Sequence, residues 1–141
     1  MSIQIVTDSG ADIPQEYMDE YRIIMVPLEV SFGPEETFYD RVNLSTDEFW
    51  RRLETSPVLP KTSQPSPQQF MEVFRQVLSK GSAFCINLSS GLSGTHQSAR
   101  LARKILGEPE NLRLLDSLNG SIGQGLMVIK AAQLAREGLS L

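Results

Sequence analysis

The sequence predicts an α/β domain, a mostly parallel sheet with helices on both faces, and three observations carry that prediction. Through the second half of the chain, apolar runs alternate with helical patterns: AFCINL (83–88) precedes a pattern over 95–106, and a strand over 111–115 precedes one over 121–137. Such alternation implies right-handed crossovers between parallel strands. The runs are also nearly continuous in apolar residues, as in strands covered on both sides. Finally, 141 residues with 40% hydrophobic and 21% charged side chains suffice for one domain, residues 1–141, with a usable core.

Taken in order, MSIQIVTDSG opens the chain with an apolar strand at 3–7, too short and too polar for a signal peptide. Pro14 starts a brief helix, PQEYMDEY. RIIMVPLEVSF reads as a second extended run, with a strand over 23–30 in which Pro27 marks a sheet edge or a bend. GPEETFYD forms a turn and a short return strand. Ser45 and Glu48 have capping-box spacing, so a helix follows with Phe49, Trp50 and Leu53 turned inward. The segment TSPVLPKTSQPSP holds four prolines in 13 residues and reads as a stiff loop. Ser66 and Pro67 then start a helix whose Phe70, Val73, Phe74, Val77 and Leu78 keep the i, i+3, i+4 rhythm of a buried face.

Charge and composition narrow the function. The net charge of −4 and the scattered Lys and Arg argue against a nucleic-acid surface. No run reaches transmembrane length. The single cysteine, Cys85, excludes an internal disulfide and fits a reducing cytoplasm; inside AFCINL it reads as a buried, inert thiol.

The chemistry concentrates in SSGLSGTHQSA, residues 89–99, a hydroxyl-rich loop between a strand and a helix. A nucleophile elbow requires G-x-S-x-G, which Gly91-Leu92-Ser93-Gly94-Thr95 lacks at its last position. His96 is the only histidine and follows Ser93 by three residues, a poor start for a triad. No Gly-Lys dipeptide exists, so there is no P-loop, and one Cys and one His leave no metal-site pattern. Gly120, Gly123 and Gly125 read as positions of close helix packing. What remains is an anion held by neutral donors: Ser93, Gly94 and Thr95 stand where a helix begins, with unpaired N–H groups and a positive dipole end. A second hydroxyl pair, Thr62-Ser63, lies in the proline-rich loop. Asp8-Ser9, Asn87 and Asp116-Ser117 each end an apolar strand, and in a parallel sheet such ends share one ligand-binding edge. The same residues are equally suited to capping turns and helices.

IVTDSGADI, VPLEV, PKTSQPSPQQF, SSGLSGTHQSA and the late LLDS and GQG together resemble, in order and across essentially the whole chain, the N-terminal domain of the DegV family. That resemblance implies a lipid-binding protein. Thr62 and Ser93 would hold the carboxylate of a long-chain fatty acid, with Ser63, Gly94, Thr95, Asp8 and Ser9 in support. The acyl tail would enter an apolar tunnel. A fatty acid kinase would be the partner that phosphorylates the carboxylate; the binding subunit would present it, non-catalytic itself and without cofactor or metal. Two departures from the family matter. Its proteins are about twice this length, so the second domain is expected to be absent here, leaving an apolar face open to self-association. His96 also stands where the family usually has an aromatic ring. Two competing readings are a small phosphotransferase-like enzyme using Asp8, Asp116 and the serine loop, and an interaction module that has lost its ligand.

Overall fold

A computed structural model describes residues 3–141; Met1 and Ser2, which begin the apolar opening stretch, lie outside the described residues. Its main sheet has four parallel strands: β1 (Ile3–Asp8), β2 (Ile24–Val26), β6 (Ser82–Asn87) and β7 (Leu112–Asp116), in the order β2-β1-β6-β7. The short strands β3 (Glu29–Ser31), β4 (Thr37–Tyr39) and β5 (Lys61–Ser63) form a separate antiparallel sheet with β3 central. Among the described residues there are also five α-helices, α1 (Gln15–Tyr21), α2 (Thr46–Thr55), α3 (Pro67–Leu78), α4 (Thr95–Ile105) and α5 (Ser121–Arg136), and a 3-10 turn at Ser9–Ala11.

The period-two alternation of β1 and β6 sorts their side chains onto two helical layers. Val6, Ala83 and Cys85, with Leu112 of β7, face α3 and α4, where Phe70, Phe74, Val77, Ala99 and Ala102 close one core. Ile5 and Ile86 face the other way, toward Met18 of α1 and Val128 and Ala132 of α5. Helices therefore lie on both faces of a parallel sheet, as the sequence predicts. The capping box that starts α3 forms as expected: Ser66 Oγ accepts from the Gln69 N–H, and Gln69 reaches back to the Ser66 N–H. Phe70 and Phe74 are fully buried, so truncating either to alanine costs about 3–5 kcal/mol.

Three expectations need correction. The run over 23–30 is two strands: β2 belongs to the parallel sheet and β3 to the antiparallel one, with the break at Pro27, which has no N–H to continue a ladder. Pro27 does follow an edge strand, since β2 ends the sheet order. The proline-rich loop contains β5, which pairs with β3 (Val30 opposite Thr62). Finally, α2 buries none of its residues fully, and Trp50 is 56% exposed. The small sheet offers only Val30, Phe32 and Leu44 as a buried core, enough to engage Phe49 but not Trp50.

Candidate functional site

The carboxyl ends of β1, β6 and β7 lie side by side: Asn87 pairs in register with Asp116, and Thr7 with Ile86 one step before the ends. The polar rim expected there exists, and most of it is used to hold the loops. Asp8 is fully buried and accepts four hydrogen bonds, from Gly10 N (3.1 Å) and Gln124 Nε2 (3.2 Å) on Oδ1, and from Asn87 Nδ2 (3.1 Å) and Leu88 N (2.9 Å) on Oδ2. Burial nonetheless outweighs those donors and raises its pKa above the usual carboxylate value. Ser9 Oγ accepts from Leu28 N at 3.0 Å, fastening the small sheet to the end of β1. Asp116 Oδ1 accepts from Ser90 N and Leu118 N, both at 3.1 Å, and hydrogen bonding from the Ser90 side chain, joined by these two amides, lowers its pKa. Asp8 and Ser9 thus brace the site from behind and do not line its opening.

The opening itself is a cleft of about 590 Å³ lined by Leu28, Thr62, Ser63, Gln64, Leu88, Leu92, Ser93 and Gly94. It brings together the two hydroxyl segments that the sequence separates by more than 25 residues, one from the end of β5 and one from the approach to α4. Thr62 and Ser63 are exposed; Ser93 and Gly94 are half-buried. Gly94, the N-cap of α4, makes no side-chain cap and itself lines the cleft, so the cleft lies at the start of that helix. Thr95 is buried and stands behind Ser93, with the two hydroxyl oxygens 2.9 Å apart and Thr95 N donating to Ser93 Oγ at 3.3 Å. When the Thr95 hydroxyl also donates, Ser93 Oγ accepts two bonds and keeps its own proton for a ligand. Ser93 is then a donor toward the cleft, suited to an anion.

The apolar part of the cleft is the element that sequence reasoning missed. Leu88 and Leu92 sit against glycines: a Cβ on Gly120 would approach Leu88 Cδ1 to 3.0 Å and Leu92 Cδ1 to 3.4 Å, and one on Gly10 would approach Leu88 Cδ2 to 3.3 Å. Each leucine directly follows a strand end or a loop glycine, the one signal that marks it in the sequence. Gly125 does serve close packing, since a Cβ there would lie 2.6 Å from the Ala11 carbonyl.

Asn87 settles the histidine. Its Nδ2 donates to Asp8, so its Oδ1 is an acceptor, and His96 Nδ1, 3.4 Å away, carries the proton. Burial lowers the His96 pKa, leaving the ring neutral at pH 7. Cys85 is fully buried, with its thiol pKa pushed far up by desolvation, and is inert as expected. Among the described residues no group of three or more His, Cys, Asp or Glu side chains is placed to hold a metal ion, and no helix is long and apolar enough to cross a membrane.

The DegV family model, described as uncharacterised proteins of that family, matches residues 2–141. This chain belongs to the DegV family. A DegV domain-containing protein of Clostridium perfringens is 38% identical over 140 residues, 99% of this chain and 50% of that protein. The chain spans about half the length of the curated DegV relatives it matches. Among solved structures, a DegV family protein from Thermus thermophilus described for its fatty acid binding aligns with a TM-score of 0.89 at 34% identity, covering 100% of this chain and 50% of that one. The Streptococcus pneumoniae fatty acid kinase B3 protein, solved loaded with linoleic acid, aligns with a TM-score of 0.81 at 27% identity, covering 99% of this chain and 50% of that one. The DegV fold is thereby shared over the full length of the described chain.

Proposed function

We propose that this DegV domain binds a long-chain fatty acid by its carboxylate and presents it to a fatty acid kinase. One observation carries the reading: hydroxyls from two distant segments, Thr62 and Ser93, line the same cleft as Leu28, Leu88 and Leu92. Solved relatives described as binding fatty acids support it, among them the fatty acid kinase B3 protein.

In this reading Thr62 and Ser93 donate their hydroxyl protons to the two carboxylate oxygens. Ser63 and the amide of Gly94 add donors, and the α4 dipole favours the negative charge. Thr95 orients Ser93 from behind. The hydrogen bonds orient the ligand and set specificity, netting about 0.5–1.5 kcal/mol each, or 1.5–3 when charge-assisted. The acyl chain provides most of the affinity, roughly 0.8 kcal/mol per buried CH₂. Phosphorylation of the carboxylate belongs to the kinase, because this cleft offers donors and apolar surface but no base or cation to stabilise a transferring phosphoryl group. On this reading the domain works in the cytoplasm, beside the kinase.

The phosphotransferase alternative loses its support here. Asp8 and Asp116 are both engaged within the fold, and neither lines the cleft. The test is equilibrium binding of radiolabelled oleic acid to the chain and to Thr62→Ala and Ser93→Ala. Saturable binding weakened in both variants supports the clamp, and equal binding in all three contradicts it.

A further inference from the structure

The two halves of the cleft come from segments with no strand pairing between them, so something else must set their separation. Gln64 Nε2 donates to Ser98 Oγ at 3.1 Å, across 34 residues of sequence. Ser98 is itself buried on the first turns of α4, which makes it a fixed anchor. Gly94 provides the seat: a Cβ there would lie 2.6 Å from Gln64 Cδ and 2.7 Å from Gln64 Nε2, so the side-chain amide occupies the space that any other residue would fill. The backbone of Gly94, at φ −75° and ψ 5°, is open to every L-residue, so glycine is required for room and not for conformation. Immediately after Gln64, Pro65 is buried and Ser66 caps α3, which packs on α4, so the chain leaving the contact is held as well.

We infer that Gln64 is a positioning residue, a latch seated in Gly94 and tied to Ser98, that fixes Thr62 opposite Ser93. Thr62 lies two residues before Gln64 and Ser93 one before Gly94, so at about 3.3–3.6 Å per residue the contact sits within roughly 7 Å of chain from each clamp hydroxyl. β5 is the edge strand of a three-stranded sheet with exposed residues, and the latch is the side-chain hydrogen bond that ties the Thr62 segment directly to α4. The inference rests on the carboxylate-clamp reading for its consequence, but the latch itself is a property of the ligand-free fold.

Gln64→Ala removes the latch and Gly94→Ala evicts it, the flexible side chain moving aside with little strain. Each variant is expected to weaken oleic acid binding by roughly tenfold or more, the loss that follows when one of two carboxylate donors is displaced, with the melting temperature lowered only by the loss of one partner to the buried Ser98 hydroxyl. Because both act through one contact, the double variant should be no weaker than either single one. Hydrogen exchange of the amides of residues 61–64 in the ligand-free chain should quicken in both. If the parent chain binds no oleic acid, the clamp reading fails while the exchange measurement still decides the latch. If the parent binds and both single variants bind as tightly, or if exchange at 61–64 is unchanged, the latch is overturned. Additive losses in the double variant would also overturn it.

Discussion

Replacing Ser93 by alanine removes the donor best placed to recognise a carboxylate. Ser93 Oγ accepts from Thr95 N at 3.3 Å and sits 2.9 Å from Thr95 Oγ1; with the Thr95 hydroxyl donating to it, its own proton is the one left for the ligand. A charge-assisted bond contributes about 1.5–3 kcal/mol, which predicts an affinity loss of roughly 10- to 150-fold. The same change strands the buried Thr95 hydroxyl, at a stability cost of about 1 kcal/mol. The assay is equilibrium partition of radiolabelled oleic acid, run beside its methyl ester. The ester keeps the acyl chain but has no anion, so its weaker binding should barely respond to Ser93→Ala. Equal losses for acid and ester would mean that the substitution deforms the cleft in general, and the anion-donor argument would be refuted.

Four further outcomes follow. Gly125→Ala should destabilise the fold by about 1–3 kcal/mol in urea unfolding, because its Cβ meets the Ala11 backbone 2.6 Å away and a carbonyl cannot step aside as a side chain can. His96, the only histidine, should titrate by NMR below its ordinary value of 6.5 and show the Nδ1–H tautomer. Because the folded state depresses this pKa, its contribution to stability should be complete above pH 6.5 and decline as the pH falls through the folded value. Leu92, Leu118, Ile122 and Leu126 are 73, 75, 70 and 63% exposed, a large apolar surface for a folded domain. Light scattering should therefore detect concentration-dependent self-association, or else oleic acid should bind much more weakly than to a two-domain relative; a clean monomer with tight binding would contradict this.

The parallel sheet was legible because its elements obey local rules: AFCINL is apolar on both faces, LRLLD keeps one apolar face, and α3, which leads into β6, carries its own capping box. The small sheet was legible only in part: GPEETFYD gave the turn and return strand that is β4, but β3 was not separated from β2 and β5 was missed, because strands of three residues carry no period long enough to register. Trp50 was misread for a related reason: helical spacing names the residues that share a face but not how much core waits opposite. At the site, the hydroxyl pairs stood out by type and position, since Ser93 precedes a helix and Thr62 lies in a stiff loop. Their convergence is a tertiary fact. Asp8 illustrates the opposite case, where a strand-end carboxylate that reads equally as ligand group or cap proves to be the buried tie between β1, β6 and α5. Leu28, Leu88 and Leu92 carried no polar signature, and only the fold shows that two loops bring them to one cleft.

Native mass spectrometry of the purified chain tests the central claim most directly. The account predicts a species heavier than the chain by one long-chain fatty acid, present after purification or formed on adding oleic acid, and lost when Thr62 and Ser93 are both replaced by alanine. A folded chain that carries no lipid and takes up none, or that retains its lipid equally well without both hydroxyls, would contradict it.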